Sequence, residues 1–227
     1  MNNPWTTYDY TRTNQVHPQD QDAFDEFNAK IEKSKNKNAF KLKLSSNNTA
    51  LPYFGSLDAR LVILAANPGL DPVKTAQEET PELRRLFDLA RRHDLAEDPF
   101  VFLRSEFKGT PGYSWWEKRT KQLRVAIGDE QFLNHTFSAE IHPYKSQNYR
   151  KLSTAMPTQQ YTFDCVDRLV RSCAHVILVR AKQEWRDAVP SLNSSNKVIE
   201  LNSAQSSYLT PKNMKPGIFD ALVRSFR

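Results

Sequence analysis

Leu61-Val-Ile-Leu-Ala-Ala66 is a continuous apolar run that ends in the turn Asn67-Pro68-Gly69. A short aliphatic run closed by a turn is the mark of a strand buried on both faces, the environment of a parallel sheet. His175-Val-Ile-Leu-Val179 has the same character, Val198-Ile-Glu-Leu201 is a shorter version, and Phe137 to Ile141 gives another short strand before His142-Pro143. Between these runs the apolar residues recur at helical spacing. Leu83, Leu86, Phe87 and Ala90 follow Thr80-Pro81, which reads as an N-cap and first helical position. Further helices are predicted over Trp115 to Ile127, Tyr161 to Cys173 (Phe163, Val166, Leu169, Val170 and Cys173 inward), and Gln183 to Val189. A closing helix carries Phe219, Leu222, Val223 and Phe226. Buried strands alternating with amphipathic helices predict an α/β fold, a parallel sheet covered on both faces.

Upstream, residues 1–50 are polar, with an aromatic cluster at Trp5, Tyr8 and Tyr10. One helix is expected from Asp22 to Ile31, with Phe24, Phe27 and Ile31 on one face, followed by a lysine-rich connector from Lys30 to Lys43. The expected organisation is thus an N-terminal extension, 1–50, and a main domain, 51–227.

The composition narrows the function classes. At 227 residues, 39% hydrophobic and 26% charged, the chain suits a globular protein with a sizeable core. Its longest apolar run falls far short of the roughly 20 residues that span a bilayer. Met1-Asn-Asn-Pro-Trp5 lacks the charged start and apolar stretch of a signal peptide. The two cysteines, Cys165 and Cys173, cannot alone build a four-thiolate metal site or an iron–sulfur cluster, and both are expected in the core of a reduced, cytoplasmic protein. Lysine plus arginine outnumber aspartate plus glutamate 32 to 26, a net charge of +6 that favours polyanionic partners or simply solubility.

In a parallel sheet the ligand site lies beyond the carboxyl ends of the strands. Here those ends are Asn67-Pro68-Gly69, Glu140 to Tyr144, Arg180-Ala181-Lys182 and Asn202-Ser203-Ala204-Gln205-Ser206. Asn67 either orients a water or a carbonyl, or bonds its own backbone as a turn residue. Glu140 and His142, two apart in an extended segment, share a face; they form an acid–base pair or a buried bond that holds a loop. The chain has six glycines and no Gly-x-Ser-x-Gly, Walker-type loop or Gly-x-Gly-x-x-Gly, and its histidines and cysteines show no metal-ligand spacing. No metal or cofactor is therefore expected. From Arg104 to Arg124, six basic residues interleave with Phe107, Tyr113, Trp115 and Trp116. That mixture suits phosphate contact and base stacking, or else a solvated helix anchored by its tryptophans, one of which is expected in the core. Lys145, Arg150 and Lys151 add a second basic stretch.

Leu51-Pro-Tyr-Phe-Gly55 with Leu61 to Gly69 resembles the first motif of the uracil-DNA glycosylase superfamily, in the Asn-Pro-Gly form of its mismatch-specific and single-strand-selective branches. Ala139-Glu-Ile-His-Pro-Tyr-Lys-Ser146 and His175 to Trp185 are similar to strand ends of a divergent bacterial branch. Leu201-Asn-Ser-Ala-Gln-Ser206 with Thr210-Pro-Lys-Asn213 stands where the last motif falls. The resemblance covers roughly residues 50 to 227 by motif order. It implies a three-layer α/β/α sandwich with a short, mostly parallel sheet. The implied activity is hydrolysis of the N-glycosidic bond of a base flipped out of DNA, by a monomer with no cofactor and no membrane contact, in repair or in defence against modified foreign DNA. Asn67, Glu140 and His142 would be catalytic. Ala66, Pro68, Gly69, Tyr113 and Tyr144 would form the base pocket. Lys145, Ser146, Asn202, Ser203, Gln205, Ser206 and Asn213 would hold DNA. Asn67 stands where other members have a carboxylate, and the last motif lacks the usual His-Pro-Ser. Glu140 and His142 replace the asparagine that reads uracil. An ionised carboxylate only accepts hydrogen bonds, so a modified pyrimidine with donors is expected in preference to uracil. Two further readings stand beside this one: an inactive nucleic-acid-binding module on the same fold, and a nucleoside hydrolase.

Overall fold

The structure is a computed structural model that describes residues 2–95, 97–203 and 205–227. Five strands form one sheet: β1 (Tyr53–Gly55), β2 (Leu61–Ala65), β3 (Thr136–Glu140), β4 (His175–Leu178) and β5 (Val198–Glu200). Their spatial order is β1-β3-β2-β4-β5, with β1 antiparallel on the edge and the other four parallel. Eight α-helices lie among the described residues: α1 (Gln21–Glu32), α2 (Pro81–Arg92), α3 (Pro111–Ile127), α4 (Asp129–His135), α5 (Gln159–Arg171), α6 (Lys182–Ala188), α7 (Ser191–Ser194) and α8 (Ile218–Arg224). None of them is long and apolar enough to cross a membrane.

Residues alternating along each strand divide between two cores, one per face of the sheet. Leu61, Ile63 and Ile177 pack with Leu86 and Phe87 of α2, Trp116 and Leu123 of α3, Phe132 of α4 and Leu222 of α8. Val62, Leu64, Phe137 and Val176 pack with Phe24 and Phe27 of α1, Val166 and Leu169 of α5 and Trp185 of α6. The sequence reading of an α/β sheet covered on both faces therefore holds at this level. The first fifty residues belong to the second core: Trp5 and Tyr8 are buried there, with the Arg91 guanidinium over both rings. Strand β1, α4 and α7 escaped the sequence reading. Strand β1 is three residues long, and α4 follows α3 after Gly128 alone. Cys165 is buried as expected, whereas Cys173 is exposed: α5 ends before it, and it takes the left-handed conformation, φ 65°, that turns the chain toward β4.

The topology fixes where a ligand can sit. The chain leaves β2, crosses one face through α2 to α4, and returns as β3; it leaves β3, crosses the other face through α5, and returns as β4. Neighbouring strands β2 and β3 thus send their connections to opposite faces, which opens a crevice between their carboxyl ends.

Candidate functional site

That crevice is occupied by a cavity of about 380 Å³. Its floor is Ala65, Ala66 and Asn67 at the end of β2 with Glu140 at the end of β3. One wall is Trp115, Trp116 and Gly112 of α3, and the opposite wall is Ser146 to Tyr149. Arg180, after β4, stands at the edge and is exposed.

The frame around Asn67 is tied on three sides. The buried Trp185 indole donates to the Ala65 carbonyl at 2.6 Å, and the Ile141 amide to the Ala66 carbonyl at 3.1 Å. Gly69 and Ser146 extend the parallel pairing of β2 and β3 past the strand ends, with Leu70 N–H donating to Ser146 O at 3.0 Å. Within this frame Asn67 Nδ2 donates to Ser146 Oγ (2.9 Å) and to Pro68 O (3.0 Å), while Ser146 Oγ donates to Asn148 O (2.9 Å). The donor end of the amide is thus spent on the protein, so its acceptor oxygen is the end left for a ligand or water. Gly69 leaves open space where a Cβ would stand, which keeps the turn clear beside the cavity.

Glu140 is 8% exposed, and its Oε2 has no hydrogen-bond partner. Burial pushes its carboxyl up to about 8, against the opposing pull of Arg180, so at neutral pH it is mainly protonated. A neutral carboxyl offers one donor and one acceptor side by side. His142 does not share this position. The strand ends at Glu140, the alternation ends with it, and the imidazole is buried and stacked on Tyr149 of the cavity wall (5.8 Å, 17°). Burial holds its pKa down at about 3, so it is a neutral imidazole, set outside the cavity lining. The expected Glu140–His142 pair is therefore not formed.

Three other expected site residues are corrected. Tyr144 is fully buried in the far core, where its hydroxyl donates to Asp20 Oδ2 at 2.7 Å and its ring meets Phe24 edge-on. Tyr113 packs beside the core of its own face; its neighbour Trp115 lines the cavity instead. Lys145 lines the cavity but is 1% exposed, and its ammonium sits 2.8 Å from Glu78 Oε2, so it is an internal counter-ion and not a surface cation. Ala66, Pro68, Gly69 and Ser146 do line the cavity. Asn202, Ser203, Gln205, Ser206 and Asn213 do not; Ala204 lies outside the described residues. Their loop is closed on itself: Asn213 Oδ1 accepts from Ser203 N–H at 2.8 Å and its Nδ2 donates to the carbonyls of Ser203 and Tyr208.

The basic segment also resolves. Arg104 pairs with Glu106, and Arg124 with Glu117 and Asp129. Trp116 is the core tryptophan and Trp115 the rim one, the two in edge contact at 4.7 Å. The Arg119 guanidinium lies over Trp115 (4.3 Å) and faces Tyr208 (5.4 Å), which is 40% exposed. With Arg180 these groups make a cationic, aromatic lip on the cavity.

Glu78 and Asp71, missed in the sequence, line the cavity too. Glu78 Oε1 accepts from the Gly112 amide at 2.6 Å and so fixes the first turn of α3 against the ion pair with Lys145. A Cβ on Gly112 would stand 2.2 Å from the Phe102 ring and 2.8 Å from Glu78 Oε1. Gly112→Ala is accordingly expected to destabilise the fold by about 1–3 kcal/mol through overpacking; a denaturant midpoint equal to that of the wild type would contradict it.

What fold and site define together is an α/β protein with an acid-floored cavity at the switch point of its sheet. No protein-family model, curated protein or solved structure matches the chain.

Proposed function

We propose that this chain is a DNA glycosylase, hydrolysing the N-glycosidic bond of a base flipped out of the strand. The observation that carries the reading is Asn67. Its amide is held by Ser146 and Pro68 on the floor of a cavity large enough for a nucleobase, with the acceptor oxygen free to orient a water. Glu140 at the floor offers a donor and an acceptor together, and uracil's N3–H/O4 edge and cytosine's N4–H/N3 edge each satisfy that pair. The protonated acid therefore removes the reason for disfavouring uracil, and the substrate class is a pyrimidine, modified or not.

The lip supports a single-stranded or locally melted substrate. The face of Trp115 that Arg119 leaves uncovered would stack a base, and Arg180 would meet the backbone. The deciding experiment is base release, read by mass spectrometry, from single- and double-stranded DNA carrying uracil or modified pyrimidines. Release of a pyrimidine supports the reading. Silence on every substrate, with DNA binding intact, favours a binding module; activity on free nucleosides with salt-insensitive behaviour favours a nucleoside hydrolase. For the lip, Trp115→Ala should weaken binding to a single-stranded oligonucleotide by tenfold or more, on the order of 1–3 kcal/mol for a stacked base. Arg180→Gln should lower the slope of log K against log salt by about 0.7, one phosphate contact. Fluorescence anisotropy over a salt series reads both, and an unchanged slope and affinity would remove the lip from the binding surface.

A further inference from the structure

Three carboxyl groups line the cavity, and the protein has engaged them differently. Glu78 is spent: one oxygen accepts from Gly112 N–H and the other from the Lys145 ammonium. Asp71, four residues after Asn67, uses one oxygen only. Its Oδ1 accepts from the amides of Val73 (2.9 Å) and Lys74 (3.0 Å), and its own amide donates to Thr75 Oγ1 (2.8 Å), so the side chain is fixed with Oδ2 unbonded. Glu140, on the floor, is nine-tenths buried and has an oxygen without any partner.

Resting on the glycosylase reading, we infer that Asp71 is the base that takes the proton of the attacking water and Glu140 the acid that protonates the leaving base. The electrostatics agree with that division. The Lys74 and Val73 amides hold the Asp71 carboxyl below the usual carboxylate range, so it is an anion at neutral pH. Burial keeps Glu140 protonated. Two carboxyls whose surroundings drive them apart are the usual basis of an acid and a base in one site.

The step balances. The C1′–N bond breaks and its electron pair goes to the base, which receives the proton of Glu140. Water held at Asn67 forms the C1′–O bond and gives its proton to Asp71. Glu140 is left ionised and Asp71 protonated, and exchange through solvent resets both. The developing positive charge on the sugar is met by the Asp71 carboxylate, which supplies the negative group that Asn67 does not.

The charged groups around the pair are few. Glu140 is faced by Arg180 from the end of β4, and Lys145 is neutralised by Glu78; the cavity residues of α3, Pro111, Gly112, Trp115 and Trp116, carry no titratable group. Asp71 is followed by Lys74.

The test uses the full chain and single-stranded oligonucleotides carrying one uracil, 5-hydroxymethyluracil, 5-methylcytosine or 5-hydroxymethylcytosine. Asp71→Asn keeps an acceptor for both amides, and Glu140→Gln keeps volume, donor and acceptor. Asp71→Ser, which keeps a smaller acceptor, stands in if the asparagine variant fails to fold. Asp71→Asn should slow single-turnover release at least about a hundredfold while leaving DNA affinity within about twofold. The wild-type rate should fall as pH rises through about 8, where Glu140 ionises. Glu140→Gln should be slower and lack that fall. Asp71→Asn within about threefold of wild type, or a Glu140→Gln profile that keeps the alkaline fall, overturns the assignment while the wild-type activity upholds the glycosylase reading. A wild type that releases none of the four bases overturns that reading and this inference with it.

Discussion

Asn67→Ala should slow base release by about a thousandfold, on the order of 4 kcal/mol of transition-state stabilisation, and leave affinity for DNA nearly unchanged. The amide is held by two hydrogen bonds that have nothing to do with ligand: one to Ser146 Oγ and one to Pro68 O. Such fixing is what makes a water-orienting group effective, because the orientation is set before substrate arrives. Alanine removes the acceptor and leaves a space that a disordered water fills. The fold should tolerate the change, since Asn67 is only half-buried and the frame around it is carried by the backbone pairing of Gly69 with Ser146 and by the Trp185 indole. Single-turnover kinetics and anisotropy on the same oligonucleotide separate the two effects. A variant that loses binding and release together would make Asn67 a structural turn residue. A variant that keeps both would remove it from the chemistry.

Ser146→Ala offers a graded companion to this expectation. It removes one of the two anchors and keeps Asn67, so its loss should be smaller and appear in the rate before the affinity. The order of the two variants follows from the network, and does not depend on which base is released.

The strands and long helices were legible because their pattern is local. Leu61–Ala65 and His175–Leu178 are buried on both faces and read as unbroken apolar runs. Thr80 caps α2 as its position before Pro81 announced. Strand β1 was not legible as a strand because three residues carry no period, and because its pairing with β3 is made by residues over eighty positions away. The cavity was legible as a place, at the ends of β2 and β3, and much less as a set of side chains. Ala66, Asn67, Pro68, Gly69 and Glu140 were found since the strand itself delivers them. His142 was misplaced because the two-residue period stops where the strand stops. Glu78 and Asp71 were invisible: they sit on the excursion after β2, which a local turn at Asp71–Thr75 and the tertiary contacts of Glu78 with Lys145 and Gly112 fold back over the cavity. The charge of Glu140 was misjudged for a related reason, since a sequence shows a carboxyl and only burial shows that it holds its proton.

Lys145 shows the same gap between sequence and fold. Read in sequence beside Arg150 and Lys151, it belongs to a basic, DNA-facing stretch. In the fold it is buried against Glu78 at 2.8 Å and Glu79 at 3.7 Å. Removing one partner of a buried pair strands the other, at a cost of about 3–5 kcal/mol. Lys145→Met should therefore lower Tm by about 10 °C, given about 2–4 °C per kcal/mol for a chain of this size. The loss should depend on pH. Burial alone would raise the Glu79 carboxyl, but Lys145, Thr49 and Arg84 together hold it below its ordinary 4.5. A depressed folded value means stability that is present above the unfolded value and lost as pH falls through the folded one. The deficit of Lys145→Met should accordingly be greatest where the Glu79 carboxyl is ionised and shrink as falling pH protonates it, since without Lys145 burial is opposed only by Thr49 and Arg84. Lys145→Met with Glu78→Gln should recover a good part of the loss, since the pair is then removed as a unit. Were Lys145 a phosphate contact, the outcome would be reversed: Tm within about 2 °C of wild type at both pH values, and a salt slope for DNA binding reduced by about 0.7.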